Sequence, residues 1–282
     1  MNDVAHSWEQ EIRTGERFGF GDNWASFLRL LTDERVRSAG ESLKEMLGVD
    51  RLDGKRFLDA GSGSGLFSLA ARRLGADVTS FDYDPQSVAC TAELKRRYFP
   101  DDPAWHVGPG SVLDREFLAG LGTFDIVYSW GVLHHTGAMW QALENVAPLV
   151  APGGTLFISI YNDQGRASRM WTRVKRAYVG APKPFKWTVL APALVRLWGP
   201  SAVRSLFRSG SLGGVWRNKQ QSPRGMDLWH DALDWVGGYP FEVAKPEQIF
   251  DFYRSRGFEL KRLTTCAGGL GCNEYVFALR AH

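Results

Sequence analysis

From about Arg56 onward, short apolar runs alternate with stretches whose apolar residues recur every three or four positions. The short runs predict buried β-strands, and the periodic stretches predict amphipathic α-helices. The predicted strands are "RFLDA", "DVTSFD", "AWHVG", "FDIVYSW" and "GTLFISIY". The predicted helices between them are "LFSLAARRL", "PQSVACTAELKRRYF", "REFLAGL" and "MWQALENVAPLV". This alternation predicts an α/β fold with a doubly wound, mainly parallel sheet that is covered by helices on both faces.

The segments on either side of this alternation have different patterns. Residues 24–47 are predicted to be helical, and the C-terminal part is predicted to form the helix "PEQIFDFYRSRG" followed by the strands "FELKRLTT" and "NEYVFAL". Between them, residues 164–221 interrupt the rhythm after the fifth strand. We therefore expect an inserted helical cap at that place.

The composition is typical of a soluble globular protein, because 44% of the 282 residues are hydrophobic and 23% are charged. The N-terminus has no basic segment followed by an apolar one, and no uncharged run is long enough to span a membrane, so we expect a cytoplasmic protein. The three cysteines form no CxxC pair. Neither a disulfide framework nor a zinc site is therefore predicted.

The basic residues are unevenly distributed along the chain. Of the 34 lysines and arginines, twelve lie in residues 164–221, which contain no aspartate or glutamate, and six of the eleven tryptophans lie in that segment and just after it. Basic residues interleaved with aromatic ones favour an anionic small molecule, an anionic membrane surface or nucleic acid as a partner. The alternative is a solvated basic face over a cap whose core contains the tryptophans.

The sequence "FLDAGSGSG" places Gly61, Gly63 and Gly65 between a predicted strand and a predicted helix, where backbone N–H groups face a ligand. The dinucleotide pattern G-x-G-x-x-G would need a third glycine at Leu66. Asp59 before the turn suits a cationic amino group, and an acid after the second strand suits ribose hydroxyls. An amine and a ribose together describe S-adenosylmethionine. The alternative is that these acids only cap the turn and the next helix.

Four segments together resemble class I S-adenosylmethionine-dependent methyltransferases of the small-molecule type: "FLDAGSGSG", "VTSFDYDP", "FDIVYSWGVLHHT" and "LVAPGGTLFISIY". The last helix and the two C-terminal strands also resemble this family. The resemblance implies a Rossmann-like sheet of seven strands, with the last strand antiparallel and the helical cap inserted between strands five and six. It divides the chain into an N-terminal helical lid (1–50), a cofactor-binding core (51–163), the cap (164–240), and the last helix and two strands of the core (241–282).

The resemblance also implies roles for individual residues. The methionine part of the cofactor would lie against the glycine turn and the residues after strand four, the ribose against the acid after strand two, and the adenine next to it. The implied cofactor-binding residues are Asp59, Gly61, Ser62, Gly63, Asp82, Tyr83, Ser111, Val112, Ser129, Trp130 and Gly131. Ser111 stands where the family often has an acid.

Two groups of residues are candidates for catalysis. His134 and His135 follow strand four, and a histidine is suited to general base work near neutral pH; we favour His134. Alternatively, one of them caps a helix and the other packs in the core. In "LWHDALDWVGGYPFE", His230 with Asp231 and Asp234 could form a second base, or these residues could cap a helix. No metal is predicted, because too few ligands converge.

The N-terminal "RFGFGDNWASFL" carries Phe18, Phe20 and Trp24, which would suit a lid over the cofactor or a helix packed on the sheet edge. The predicted function is methylation of a small organic acceptor that is anionic or linked to a lipid or sugar. Oxygen is the favoured acceptor atom because histidines are near, and carbon, nitrogen and sulfur stay open. Base methylation of nucleic acid is disfavoured, since "SWGVLH" replaces an Asn/Asp-Pro-Pro-aromatic motif. The rivals are a nucleotide-linked oxidoreductase and a cofactor-binding module that attaches to a membrane or partner.

Overall fold

The computed structural model describes residues 2–21, 24, 28, 31–209 and 228–281. Its strands are β1 (Arg56–Ala60), β2 (Asp77–Asp82), β3 (Trp105–Pro109), β4 (Phe124–Trp130), β5 (Val150–Tyr161), β6 (Phe258–Thr264) and β7 (Cys272–Leu279). We number its helices α1 (Asn2–Thr14), α2 (Asp33–Leu47), α3 (Leu66–Arg73), α4 (Pro85–Tyr98), α5 (Arg115–Leu121), α6 (Met139–Val146), α7 (Arg166–Gly180), α8 (Lys186–Ser209), α9 (Leu228–Gly237) and α10 (Pro246–Arg254). Three short 3-10 turns lie at Leu133–His135, Ala147–Leu149 and Lys183–Phe185.

The seven strands form one sheet in the order β3-β2-β1-β4-β5-β7-β6. The strands β1 to β5 are parallel to their neighbours, whereas β7 is antiparallel to both β5 and β6. The predicted fold class, with its antiparallel last strand, is therefore confirmed. The chain leaves β1 towards β2 on one side and returns to β4 on the other, which opens a crevice at the carboxyl ends of these strands.

Each face of the sheet is covered by one layer of helices. On one face, α2, α3 and α4 pack their apolar stripes against β1 and β2 around Leu43, Leu69 and Leu94, all of which are fully buried. On the other face, α5, α6 and α10 pack around Leu143, Ile249 and Tyr253. Burial of large apolar side chains on both faces holds the strand ends, and hence the crevice, in a fixed position.

The largest differences between the predicted and the observed helices are at two places. The predicted helix over residues 24–47 is interrupted at residues 31–32, because the extended backbone of Thr32 lets its side chain accept a hydrogen bond from the N–H of Arg35 and start α2 at Asp33. The helix predicted over "MWQALENVAPLV" ends at Val146 and continues as a 3-10 turn that contains Pro148. Proline has no N–H for the α-helical hydrogen bond, so the segment tightens there.

The inserted segment after β5 is helical, as predicted, over its described residues. Helices α7, α8 and α9 share an apolar cluster that includes Trp171, Tyr178 and Leu190. Lys175 is fully buried in this cluster, donates a hydrogen bond to the carbonyl oxygen of Trp235, and lies 4.6 Å from the centre of the Trp235 ring. An amino group in such a position is stabilised by the carbonyl and by the faces of aromatic rings.

Candidate functional site

A cavity of about 620 Å³ lies at the carboxyl ends of β1, β2 and β4. Its floor is the glycine turn after β1, and its roof is formed by side chains of residues 7–20 together with Trp24. One end is lined by the residues that follow β2 and β3, and the other by the ends of β5 and α9. The crevice where the strand order reverses is the place at which open α/β sheets bind their ligands.

The glycine turn has a backbone that side chains would not tolerate. Gly61 and Gly63 have φ values of +87° and +54°. A Cβ atom at Gly61 would lie 2.4 Å from the methyl groups of Val132, and one at Gly63 would lie 3.1 Å from the indole nitrogen of Trp24. Glycine is therefore required here both for the positive φ and for the close approach of the two neighbouring side chains.

Two buried carboxyl groups flank this turn. The side chain of Asp59 accepts a hydrogen bond from the hydroxyl of Ser68, and that of Asp82 accepts bonds from the N–H groups of Gly63 (2.8 Å) and Asp84 (2.9 Å). Burial raises the pKa of Asp59 to about 7 and that of Asp82 to about 6. Both carboxyl groups line the cavity, so a ligand that brings a cation or hydroxyl donors would favour their ionised forms.

The end of the cavity beyond β2 contains Tyr83, Ser111 and Val112. The hydroxyl of Tyr83 donates to Glu11 of α1 (3.1 Å), and burial raises the pKa of this tyrosine to about 12. The hydroxyl oxygen of Ser111 accepts the N–H of Leu113 (3.1 Å). The backbone around Ser111 is thus held in a tight turn directly at the cavity wall.

The three residues after β4 that were expected to follow the methionine chain do not share one face. Trp130 and Gly131 line the cavity, whereas Ser129 is not among its lining residues. Ser129 is fully buried, and its hydroxyl donates to the carbonyl oxygen of Ala60 (2.7 Å). Side chains alternate along a strand, so Ser129 points away from the face on which Tyr128 and Trp130 meet the cavity.

The two histidines after β4 also have different surroundings. His135 lines the cavity, but His134 does not. His134 is fully buried beside the ring of Tyr161, and neither of its ring nitrogens has a hydrogen-bond partner among the described residues. Burial, together with the nearby His135, lowers the pKa of His134 well below its usual range. In this position His134 is a neutral residue of the protein interior.

His135 has one ring nitrogen fixed by the backbone. Its Nδ1 atom lies 2.6 Å from the carbonyl oxygen of Pro240, and because a carbonyl can only accept, the Nδ1 atom carries the proton. The Nε2 atom is then an acceptor. Burial, together with the nearby charges of Lys175 and Arg17, lowers the pKa of His135 to about 3. The imidazole is therefore neutral near neutral pH.

The other predicted base cannot be assessed in the same way. His230 and Asp231 belong to α9 by their backbone, and Asp234 follows one turn later in the same helix. The side chains of these three residues lie outside the part of the chain that the structure describes. A catalytic role for them stays a prediction.

The N-terminal segment forms the roof of the cavity through contacts that the sequence does not reveal. The Nη1 atom of Arg17 donates to the carbonyl oxygen of His135 (2.8 Å), and its Nε atom pairs with Glu11. The N–H of Gly21 donates to Asp84 (2.7 Å), which also caps α4. Arg17 and Glu11 were not predicted as site residues. They lie more than a hundred residues from His135, and a charged residue in a leader segment carries no local signal.

The end of the cavity near β5 has an aromatic wall. Besides His135, the residues there are Phe18, Phe20, Tyr161 and Trp235. Phe20 lies 5.1 Å from the His135 ring, and Tyr161 lies 5.2 Å from the Trp235 ring between ring centres. Cys272 of β7 completes this wall. Such a wall fits a flat or apolar molecule better than a charged one.

Two negative findings concern metals and membranes. Among the described residues, no group of three or more histidine, cysteine, aspartate or glutamate side chains is arranged to hold a metal ion. Within the described ranges, no helix combines the length and apolar character needed to cross a bilayer.

Comparison with known proteins gives the family. A model of the methyltransferase domain family matches residues 31–218, which is more than half of the chain. The chain is 37% identical over 174 residues to a ubiquinone biosynthesis O-methyltransferase of Xanthomonas campestris, covering 60% of this chain and 70% of that protein. It is also 35% identical over 108 residues to a tRNA U34 carboxymethyltransferase of Pseudomonas putida, covering 38% of this chain. The match spans about a third (33%) of the length of that tRNA enzyme.

Solved structures give the same fold at low identity. Magnesium protoporphyrin IX methyltransferase from Synechocystis, with bound SAH, aligns over 92% of this chain and 94% of its own with a TM-score of 0.53 and 15% identity. A putative methyltransferase of Haloferax volcanii, solved with the Trm112 activator, aligns over 93% of this chain and 96% of its own with a TM-score of 0.51 and 13% identity. The chain therefore belongs to the methyltransferase domain family, whose cofactor is S-adenosylmethionine.

Proposed function

We propose that this protein transfers the methyl group of S-adenosylmethionine to a hydroxyl oxygen of a small, largely apolar acceptor. The observation that carries this proposal is that one continuous cavity is lined by the glycine turn, its two carboxyl groups and the aromatic wall beside His135. The O-methyltransferase of Xanthomonas campestris supports oxygen as the acceptor atom.

The residues at the cofactor end fit S-adenosylmethionine in charge and in donor groups. Asp59 would face the ammonium of the methionine part, since burial has raised its pKa and a neighbouring cation would offset that cost. Asp82 would accept the ribose hydroxyls; each of its oxygens already accepts one backbone N–H and has a second lone pair to offer.

The remaining cofactor contacts follow from the shape of the cavity. The ring of Tyr83 and the turn at Ser111 and Val112 would enclose the adenine, and Trp130 and Gly131 would lie along the methionine chain. Ser62 and the two glycines of the turn would approach the same chain through their backbone. In this proposal Ser129 has a supporting role, because it holds β4 to the end of β1.

The acceptor would lie against the aromatic wall with its hydroxyl towards His135. When bound, S-adenosylmethionine supplies a methyl group activated by its sulfonium. The Nε2 atom of His135 would accept the hydroxyl proton as the acceptor oxygen forms its bond to the methyl carbon and the bond from that carbon to sulfur breaks. An imidazole with a pKa of about 3 is a weak base, so it suits an acidic hydroxyl, such as that of a phenol or enol, better than an aliphatic alcohol.

The lining of the cavity favours a neutral acceptor over an anionic one, which is one of the alternatives that the sequence leaves open. Among the described lining residues the acids outnumber the bases, with Glu11, Asp59, Asp82, Asp84 and Asp114 against Arg17. Arg17 is already paired with Glu11 and with a backbone carbonyl. These carboxyl groups lie towards the cofactor end, and at the acceptor end an aromatic wall would not replace the water around an anion.

Transfer to tRNA is the second candidate, favoured by the match to the tRNA enzyme of Pseudomonas putida and by the basic residues of the cap. One assay separates the two candidates. The protein is incubated with S-adenosylmethionine carrying a tritiated methyl group and with, in turn, a catechol, an alkyl-substituted phenol and unfractionated tRNA. We expect label in a phenol and none in tRNA.

The matched control for this assay is the His135→Asn variant, whose amide can still donate to Pro240. Label in the phenol that is strongly reduced in this variant supports the proposal. Label that enters tRNA alone would overturn it in favour of the second candidate. Calorimetric titration with S-adenosylhomocysteine, with NADH as the comparison, tests the cofactor end separately, and binding of NADH alone would contradict it.

A further inference from the structure

The cap helix α8 and the 3-10 turn directly before it expose large apolar side chains. Phe185 and Trp187 are each 59% exposed, and Val195 is 70% exposed. Of the seven large hydrophobic residues that are exposed among the described residues, four lie in residues 166–195 of the cap. Large apolar side chains concentrated in one part of a surface usually mark a contact site.

The exposed side chains of α8 follow the helical period. Trp187, Ala191 and Val195 are four residues apart and all exposed, so they form one stripe. Leu190 and Ala193 are buried on the opposite side, in the apolar cluster of the cap. The helix is therefore apolar on two sides, of which the inner one packs on the protein and the outer one faces solvent. We call the outer stripe, together with Phe185, the α8 face.

Basic residues accompany this face without acidic ones. Residues 164–209 contain ten lysines and arginines and no aspartate or glutamate. Lys183 and Lys186 flank Phe185, and the exposed side of the preceding helix α7 carries Arg166, Arg169 and Arg173. The apolar side chains thus have lysines as neighbours in the chain, and the exposed side of the preceding helix is basic as well.

The α8 face also lies close to the roof of the cavity. At the end of α7, Gly180 lies close to Gly15. A Cβ atom added at Gly15 would be only 3.1 Å from the Cα atom of Gly180. Lys186 lies 5.1 Å from the centre of the Tyr178 ring, and that ring lies 6.5 Å from the ring of Phe18, which lines the cavity. A surface that binds the α8 face is therefore near the segment that covers the cavity.

We propose that the α8 face docks the protein on an anionic lipid bilayer. Tryptophan and phenylalanine enter the boundary between headgroups and acyl chains, and lysines and arginines beside them are attracted to anionic headgroups. The aliphatic part of the face, Ala191 and Val195, favours lipid over nucleic acid, because these side chains neither stack on bases nor donate hydrogen bonds. The charge favours lipid over a second copy of the chain, since two such faces would repel each other.

Flotation with lipid vesicles tests this proposal. The full-length protein is mixed with vesicles of phosphatidylcholine alone, or of phosphatidylcholine with phosphatidylglycerol, and the fraction that floats is measured at low and high salt. We expect binding to the anionic vesicles only, with binding weakened by salt. The double variant Phe185→Ala/Trp187→Ala should lower the partition constant at least about tenfold, since both aromatic side chains would leave the interface.

The matched control is Trp140→Ala, which removes a tryptophan that is 40% exposed on α6, outside the α8 face. This variant should float like the wild type. Thermal stabilisation by S-adenosylhomocysteine, measured for every variant, shows whether the chain is folded and binds its cofactor. A failure of membrane docking is thereby distinguished from a failure of the proposed function.

Three results would overturn the proposal. The first is equal flotation of the double variant and the wild type. The second is release from anionic vesicles by unfractionated tRNA together with tighter binding to tRNA, which would assign the face to nucleic acid. The third is a dimer of the wild type in light scattering that the double variant lacks, which would assign the face to a second copy.

Discussion

The two ends of the cavity are built in different ways. The cofactor end is formed by turns that follow β1, β2 and β3, and its shape is set by backbone groups and buried carboxyl groups. The acceptor end is formed by side chains from the N-terminal segment, the end of β5 and α9, which are far apart in the chain. The first arrangement fixes one ligand closely, whereas the second can change its ligand when a few aromatic side chains change.

The largest effect that this difference predicts is at Asp82. Replacing it by Asn keeps the size of the side chain but removes the charge that would receive the ribose hydroxyls. We expect the Kd for S-adenosylhomocysteine to rise about 100-fold, since two hydrogen bonds to a charged group are weakened. Calorimetric titration measures this change.

Asp77→Asn is the matched control for Asp82, because Asp77 lies at the other end of the same strand and is exposed. The control should bind like the wild type. Equal affinity of Asp82→Asn and Asp77→Asn, with both proteins folded, would show that the carboxyl group at the end of β2 does not contact the cofactor.

The second effect concerns the acceptor end. His135→Asn should lower kcat about 10- to 100-fold on a phenol and leave the affinity for S-adenosylhomocysteine unchanged, because the amide cannot take up a proton. Burial lowers the pKa of His135 to about 3, so the wild-type rate should show no inflection near the usual pKa of a histidine, about 6.5. A pH profile of kcat measures this.

His134→Leu is the comparison for His135. This substitution replaces a buried ring without hydrogen bonds among the described residues by an apolar side chain, so we expect a change in the unfolding midpoint rather than in kcat. If His134→Leu stays folded but loses turnover while His135→Asn keeps it, the assignment of the base to His135 is wrong.

The sequence was sufficient to predict the glycine turn and the acid before it, because they depend on neighbouring residues. Asp59, Gly61 and Gly63 lie within five positions, and a strand, a turn and a helix place them together whatever the rest of the chain does. The individual strands and helices were predictable for the same reason, since each has its own apolar period, whereas the seven-stranded sheet with its antiparallel last strand was implied by the family resemblance.

Other features could not be predicted because they depend on the direction in which a side chain points or on contacts between distant segments of the chain. The tight turn at Leu133–His135 directs successive side chains about 120° apart, so the sequence does not show which of the two histidines meets the cavity. Ser129 and Trp130 are neighbours in β4 and point to opposite faces of the sheet, so only one of the two can line the cavity. The pairing of Arg17 with the carbonyl of His135 joins segments that only the complete fold brings together.

The third prediction concerns pH at the cofactor end. Burial raises the pKa of Asp59 to about 7, so below this pH the free protein holds a proton that an ammonium ligand must displace. The affinity for S-adenosylhomocysteine should therefore rise with pH, by at most about tenfold per pH unit, and become constant above about pH 7. Because burial also raises the pKa of Asp82 to about 6, the titration is centred near pH 7 and is repeated with a variant that lacks the Asp59 carboxyl group.

Asp59→Asn should remove this dependence in that range, since an amide does not titrate. Calorimetry in two buffers with different ionisation enthalpies provides an independent check through the number of protons released on binding. A wild type that releases no proton near pH 6.5 would place the ammonium away from Asp59.

The smallest predicted effect is that of a substitution at Gly237, which we compare with the same substitution at Gly61. At Gly61 the positive φ of the backbone excludes a side chain, whereas at Gly237 the atoms nearest to a Cβ atom would belong to the ring of Phe18, 2.3 Å away. Gly61→Ala should therefore weaken both folding and cofactor binding. Gly237→Ala should only displace the Phe18 ring from the aromatic wall and raise KM for the phenol several-fold, about 1 kcal/mol, with the affinity for S-adenosylhomocysteine unchanged.

In the Phe18→Leu variant the smaller side chain leaves room for the new methyl group. Adding Gly237→Ala to Phe18→Leu should therefore raise KM less than Gly237→Ala does in the wild type. Steady-state kinetics on the phenol measures the three proteins side by side. If Gly237→Ala instead lowers cofactor affinity as much as Gly61→Ala does, the two ends of the cavity are not independent, and the N-terminal segment positions both ligands together.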